Sequence, residues 1–519
     1  MKTFPDKKAF STIHNAGKSQ VVWTTLVADL ETPVSAALKA IRGRPNSFLL
    51  ESVEGGAIRG RYSFIGLNPD IIWRCFGNRS EINRDAGAEV SSFSPCPVGE
   101  KSGALNSLRA LTAESRIELP DDMPPMAAGL VGYMAYDTVR LAENLPDNNP
   151  DVLGVPDSIY LRPTVMVVFD ALKDTMTIVT PVWGDDGDDA DQAYAKAQVR
   201  LQNVIDDIDR PLPRNLSESA QQVELPEPQS NMTREYFHGM VKKAVEYIHA
   251  GDAFQIVPSQ RFRLPFKLSP FSYYRSLRRL NPSPFLFFLD FDAFSVVGSS
   301  PEILVRVRDG NITLRPLAGT RKRGANAEED AELAADLLSD PKERAEHLML
   351  LDLGRNDVGR VAKIGTVKPT EQFMIEYYSH VMHIASNVEG VLDTDKYDAI
   401  DALLAGFPAG TVSGAPKVRA MEIIDELEPE RRGIYAGCIG YFGADGDMDT
   451  CIALRTAVIK DEVLYIQAGG GVVADSDPEF EYQESINKAR ALVRAAEEAV
   501  KFASDSHKPS RNSTLNRTS

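Results

Sequence analysis

Behind Thr233 the apolar residues Phe237, Met240, Val241, Ala244, Val245 and Ile248 recur at helical spacing, which predicts an amphipathic helix with Thr233 as its N-cap. Runs such as SFLLES (47–52), RYSFIG (61–66) and TVMVVFD (164–170) instead read as short strands between turn residues, with a helix expected near 104–114. Further strands are expected around 253–263, 285–291, 303–308 and 311–318, followed by helices at 328–339 and 341–354. Strands near 381–390, 434–443, 451–460 and 463–473 then precede a long final helix starting near Pro478, with Ile486, Ala489, Val493 and Ala496 as its apolar stripe. Strands joined by short turns, without regular alternation with helices, predict an α+β fold built on antiparallel sheets. The Pro-, Ser- and Gln-rich stretch 210–231 has no periodicity and reads as a linker between an N-terminal region (1–209) and a second domain (232–503). The polar residues 504–519 are expected to be a disordered tail.

Charge and composition narrow the function. The 57 Lys and Arg against 74 Asp and Glu give a net charge of −17, which argues against nucleic acid, whose phosphates need clustered cations. The start MKTFPDKK lacks the apolar core of a signal peptide, and no apolar run nears the roughly 20 residues that cross a bilayer, so no membrane partner and a cytoplasmic location are expected. Cys75, Cys96, Cys438 and Cys451 show no metal-binding spacing and read as reduced thiols.

Candidate chemistry sits in the second half. Asp340, Pro341 and Glu343 make a helix start, and Glu343 and Glu346 then share a face with Leu350 and Leu353. Glu481 and Glu484 repeat this arrangement on the last helix. Two carboxylate pairs at i,i+3 could ligate one hard cation such as Mg²⁺, which takes one or two carboxylates together with waters and substrate oxygens, or they could be solvated surface residues. Gly469, Gly470 and Gly471 interrupt a strand pattern, as a close backbone approach or a bend would require. Arg455 lies in the largely apolar strand pattern CIALRTAVI and needs an anion, whether a structural carboxylate or a substrate. His383, between Met382 and Ile384, fits a core histidine as well as a catalyst. The segment FPAGTVSGAPKVRAMEII offers Thr411 as a donor but lacks the phosphate-loop pattern.

These segments, with GDAFQIVPSQRF (251–262), SPEILV (300–305), RPLAGTRKRG (315–324), KERAEHLMLLDLGRND (342–357), YYSHVMHI (377–384), IYAGCIGYF (434–442) and QAGGGVVADSDPEFEYQESINKA (467–489), resemble the chorismate-utilising enzymes, most closely their anthranilate synthase component I branch. The resemblance spans roughly 45–500 and implies antiparallel sheets packed as a sandwich with helices outside. It implies Mg²⁺ held by Glu346 and Glu484, with Glu343 and Glu481 in support, and a chorismate pocket lined by Gly319, Thr320, Tyr435, Arg455 and Gly469 to Gly471. Glu343 is the candidate acid for loss of the C4 hydroxyl, with His383 in the later elimination and Thr411 near the reacting ring. Ala318 and Gln255 stand where sibling activities carry a lysine, which implies that ammonia is the nucleophile, delivered by a separate glutamine amidotransferase subunit. Glu51, Ser52, Pro284, Phe285 and Leu286 resemble a feedback site for L-tryptophan. The alternatives are an aminodeoxychorismate synthase, disfavoured by Ala318, and a non-catalytic amino-acid sensor, which would have no need of four glutamates together with Arg455.

Overall fold

The computed structural model describes residues 1–54, 58–87, 92–121, 123–184, 187–212, 225–378 and 381–505. Residues 213–224 of the expected linker and 506–519 of the expected tail lie outside the described residues. Among the described residues, twenty-one strands form one continuous hydrogen-bonded system, and the pairings along it are antiparallel.

The curled sheet folds over a core drawn almost wholly from strands. Phe48, Phe64, Met166, Phe287, Val296 and Val458 meet there. Their neighbours along the same strands, Leu49, Ile65, Val167, Phe288, Val297 and Ile459, face the opposite way and pack against helices. The period of two in a strand thus puts one side of the chain into a sandwich and the other under helices, as the resemblance implies. Fully burying each of these large side chains contributes about 1.5–3 kcal/mol.

The N-terminal and C-terminal regions share this sheet. Strand Ser47–Glu54 pairs with Phe285–Asp290, and Gly129–Met134 pairs with Cys438–Gly443. The covalent boundary near 210–231 is therefore not a boundary in the sheet.

Several elements match their sequence signals closely. Helix Arg234–Ala250 is capped by Thr233, whose hydroxyl accepts from Tyr236 N, and it buries Phe237, Met240, Val241 and Ala244. Asp340 caps helix Pro341–Gly359 through the N–H groups of Lys342 and Glu343. Other expectations need correction. The strand expected at 311–318 is two, Asn311–Leu314 and Leu317–Lys322, separated by Pro316, which has no N–H to give a ladder. The strand expected at 451–460 breaks before Thr456, because Arg455 takes a left-handed backbone at φ 48°. Helix Ala190–Asp209, with Asp189 and Gln192 in a capping box, went unread in the strand-rich first part of the sequence. All four cysteines are free and buried. No helix among the described residues is long and apolar enough to cross a membrane.

Candidate active site

A cavity of about 480 Å³ lies where the two acidic helices meet the ends of the central strands. The cap at Asp340 starts helix Pro341–Gly359 in a register that turns Glu343, Glu346 and Leu350 toward the cavity. Helix Pro478–Asp505 presents Glu481, Glu484 and Lys488 from the other side. Neighbouring side chains fix some of these oxygens. Arg321 reaches Asp340 at 2.8 Å and Glu343 at 3.4 Å. Gln255 Nε2 donates to Glu346 Oε1 at 2.8 Å, Ser476 Oγ donates to Glu481 Oε1 at 2.8 Å, and Lys488 pairs with Glu484 at 2.7 Å.

These carboxylates suit a hard cation. Burial raises the pKa of Glu343, and the charge of Glu346 raises it further. Glu481 is raised by burial, a shift that the Ser476 hydrogen bond opposes and the Glu484 charge augments. Glu481 Oε2 is buried without a hydrogen-bond partner. Within each pair the two carboxylates still repel one another, which a divalent cation would relieve. Among the described residues no three acidic, histidine or cysteine side chains converge into a closed metal cage. One carboxylate from each helix is an oxygen donor set of the kind Mg²⁺ accepts, with waters and substrate oxygens completing its shell.

The glycine run makes a close backbone approach. A Cβ on Gly469 would lie 2.3 Å from the carbonyl oxygen of Pro258, one on Gly470 2.8 Å from Glu481 Oε2, and one on Gly471 2.5 Å from Gln255 Nε2. Strand Val463–Gly469 ends here, so bare backbone faces the carboxylates.

Gly319 forms a bulge between Ala318 and Thr320 opposite strand Val381–Val391, with φ +71°. The bulge turns the Gly319 carbonyl onto His383 Nδ1 at 2.9 Å, and Thr320 Oγ1 lies 3.1 Å from the same nitrogen. A carbonyl only accepts, so Nδ1 carries the proton and Nε2 keeps a free lone pair in the neutral ring. Burial lowers the pKa of His383 despite that hydrogen bond, which keeps the ring neutral near pH 7.

Arg455 faces the same cavity. Its pKa is lowered by burial, with Tyr378 and Glu302 acting the other way. No carboxylate among the described residues pairs with it at salt-bridge distance, in contrast to neighbouring Arg432, which is held by Glu428 at 2.6 Å. Of the anions left open by the sequence, no carboxylate in direct contact with Arg455 is found among the described residues, and Glu302 acts on it only from beyond that distance. Tyr435 lies alongside, its pKa pushed up to about 12, chiefly by burial. Thr411, on the single turn Gly410–Ser413, donates to Glu302 at 3.2 Å.

Glu302 is the site residue that sequence reasoning missed, although it lies in the quoted motif SPEILV. It is fully enclosed, and its pKa is pushed up to about 8 by burial, against the opposing pull of the Leu317 N–H, the Thr411 hydroxyl and Arg455. The signal available was an acidic residue inside an otherwise apolar strand entry, which is costly unless the group is neutral or paired. Of the residues expected to touch substrate or metal, Gly319, Thr320, Glu343, Glu346, His383, Thr411, Tyr435, Arg455, Gly469, Gly471, Glu481 and Glu484 all line the one cavity, and Gly470 packs directly behind it.

A second cavity, of about 370 Å³, is lined by Ser52, Pro284, Phe285 and Leu286 together with Tyr441 and Asp449. Asp449 Oδ1 is buried there without a partner. Glu51 lines this cavity as well, with its carboxylate held by Tyr274 and Arg278 at 2.5 Å each.

The chorismate binding enzyme family matches residues 57–494. The chain is 61% identical over 490 residues to anthranilate synthase component 1 of Cereibacter sphaeroides, covering 94% of this chain and 96% of that one. It is 50% identical over 475 residues to anthranilate synthase component 1 of Pseudomonas putida, covering 90% and 93%. The crystal structure of anthranilate synthase component I from Streptococcus pneumoniae superposes with a TM-score of 0.73 at 37% identity, over 84% of this chain and 92% of that one. The fold is shared as well with the menaquinone-specific isochorismate synthase of Escherichia coli, at TM-score 0.67 and 19% identity over 94% of this chain and 99% of that one. By this family match, these identities over nearly the whole chain and the shared fold, the chain belongs to the chorismate binding enzyme family, within its anthranilate synthase component 1 branch.

Proposed function

We propose that the chain converts chorismate to anthranilate, adding ammonia at C2, expelling the C4 hydroxyl as water and then releasing pyruvate as the ring becomes aromatic. The observation that carries this reading is one cavity holding a guanidinium without a carboxylate partner and, apart from it, two pairs of carboxylates on facing helices. A dicarboxylate substrate matches both features: Arg455 and Tyr435 take one carboxylate directly, and the glutamates take the other through a cation. Glu346 and Glu484 would hold Mg²⁺, with Glu343 and Glu481 in support. When bound, Mg²⁺ neutralises the second substrate carboxylate.

Proton delivery falls to a carboxyl group. Glu343 has a raised pKa, but Glu302, with a pKa of about 8 and Thr411 as donor, is neutral at pH 7 and better suited to protonate a leaving hydroxyl. Neutral His383, its Nε2 unprotonated, suits removal of a proton in the elimination step. Neither Ala318 nor Gln255 supplies an amine, so nitrogen comes from ammonia. A glutamine amidotransferase subunit supplies that ammonia in the cytoplasm, and L-tryptophan binds the cavity lined by Ser52, Pro284, Phe285 and Leu286, where Asp449 can accept from an ammonium group.

The test is fluorescence detection of anthranilate from chorismate, MgCl₂ and an ammonium salt with the isolated chain. Anthranilate is expected from ammonium and not from glutamine. No product with ammonium, or full activity with glutamine in pure protein, overturns the reading.

A further inference from the structure

The turn between helix Lys417–Leu427 and Tyr435 carries a buried ion pair that the proposed chemistry leaves unused. Glu428 is the C-cap residue of the helix and Arg432 follows four residues later, each almost wholly enclosed, with the guanidinium 2.6 Å from the carboxylate. Burying two charges is often less favourable than burying an apolar pair of similar volume, so their attraction alone gives no reason for the pair. The directed bonds do. Arg432 donates from one terminal nitrogen to the carbonyl of Val412 at 2.7 Å and from the other to that of Val257 at 2.5 Å. Both of these residues line the main cavity, on a one-turn helix and in a gap between two short strands, where carbonyls are left for side chains to satisfy. The same guanidinium carbon lies 5.6 Å from the ring centre of Tyr435 and 4.8 Å from that of Tyr136. Glu428 in turn accepts from the N–H and the hydroxyl of Ser259 at 2.8 Å each, and that hydroxyl oxygen accepts from Gln467, a further cavity residue, at 2.8 Å.

We propose that Arg432 is the positioning residue of the substrate wall, holding Val257, the Thr411 turn and Tyr435 in one register, an inference that rests on the chorismate reading above. A planar fork of five donors meets two carbonyls, a carboxylate and two ring faces together. Tyr435 shares a substrate carboxylate with Arg455 in that reading, and Thr411 donates to Glu302. The hydrogen bonds of Arg432 reach neither helix Pro341–Gly359 nor helix Pro478–Asp505, which present the carboxylates for the cation. Loss of the fork is therefore felt by chorismate and not by Mg²⁺. Lysine is no substitute, because a single ammonium keeps the charge opposite Glu428 but cannot span both carbonyls in one plane.

The test compares wild type with Arg432→Lys and with the paired variant Arg432→Met/Glu428→Gln, which leaves no unmatched charge in the core while the new amide oxygen still accepts from Ser259. In both, KM for chorismate is expected to rise about tenfold or more, while KM for ammonium and the Mg²⁺ concentration for half-maximal rate change by less than about twofold. Calorimetric titration of chorismate with MgCl₂ and no ammonium should show the same loss as a raised Kd. A pair that served stability alone would move all three constants together or none of them. A folded variant with wild-type chorismate KM and Kd overturns the proposal, and so does an equal rise in all three constants. Should the paired variant not fold, Arg432→Lys, which keeps a cation opposite Glu428, is read in the same way. Wild type that binds no chorismate overturns the substrate reading instead, so the two failures are distinguishable.

Discussion

Glu302 shows how one enclosed side chain links stability to chemistry. Its folded pKa of about 8 lies above the ordinary glutamate value of 4.5, so the folded state holds a proton that the unfolded chain has lost. Stability from this group is therefore full below about pH 4.5 and declines as pH rises, levelling off above about pH 8. Glu302→Gln is expected to be more stable than wild type at pH 8.5 by an amount on the order of a few kcal/mol, with no gain at pH 4.5. Thermal melts at the two pH values check this, and equal shifts at both would show that the carboxyl is not held neutral. If the proton of Glu302 serves the leaving hydroxyl, kcat should also fall as pH rises through 8. At the opposite wall, Glu346→Gln or Glu484→Gln should cut Mg²⁺-dependent turnover by about a hundredfold or more with the fold intact, since each removes one charge facing the cation. Near-normal rates at low Mg²⁺ in either variant would place the metal elsewhere.

Helix starts and strand ends set the positions of these residues. The Asp340 cap orients the first turn of helix Pro341–Gly359, and Arg321 ties Asp340, Asp336 and Glu343 together. Asp340→Ala should cost about 1 kcal/mol of stability and raise the Mg²⁺ concentration needed for half-maximal rate, because the cap and the Glu343 partner network are lost together. An unchanged Mg²⁺ dependence in a destabilised protein would mean that the cap serves the helix alone. The bulge at Gly319 plays the same role for His383, whose tautomer is set by a carbonyl that a regular strand would have given to its neighbour. The helix starts were legible because caps, proline and acidic turns are local chemistry. The strand breaks at Pro316 and Arg455 were read less well, since a positive φ at arginine leaves no mark in the apolar pattern around it. Strand Lys368–Tyr377 escaped notice because it is largely exposed and twice bulged, which erases the alternation that marks a half-buried strand.

Across the whole molecule the two cavities are joined by strands. Phe285, in the proposed tryptophan pocket, pairs with Ser300, two residues before Glu302. Cys451, in the same pocket, pairs with Ile303, and Ile452 N donates to the carbonyl of Glu302. A ligand that shifts these strands can reach Glu302 and Arg455 without entering the active site, provided that it binds one arrangement better than the other. Inhibition by tryptophan should then be mutual with chorismate binding. Ser52 packs against Gly60, where an added Cβ would come within 1.9 Å of its hydroxyl, and it lines the cavity, so a larger side chain at 52 cannot turn toward Gly60 and takes up space in the cavity wall. Ser52→Phe is expected to keep substantial activity while losing sensitivity to tryptophan. Wild type unaffected by millimolar tryptophan, or a variant inhibited as strongly as wild type, would refute the assignment.

By itself the sequence determined the elements with strong local signals, the two acidic helix turns and, through motifs in fixed order, the family. Those features depend on neighbours along the chain, where spacing and capping act. Tertiary structure alone decided that Glu343, Glu346, Glu481, Glu484, His383 and Arg455 share one cavity, and that Arg455 has no carboxylate partner among the described residues. It decided too that Glu51 is held by Tyr274 and Arg278 and that Glu302 is an enclosed acid. Each of those depends on burial and on pairing between segments remote in sequence, as where Ser47–Glu54 meets Phe285–Asp290, and burial sets the pKa of a carboxyl that the linear pattern shows only as one glutamate among many.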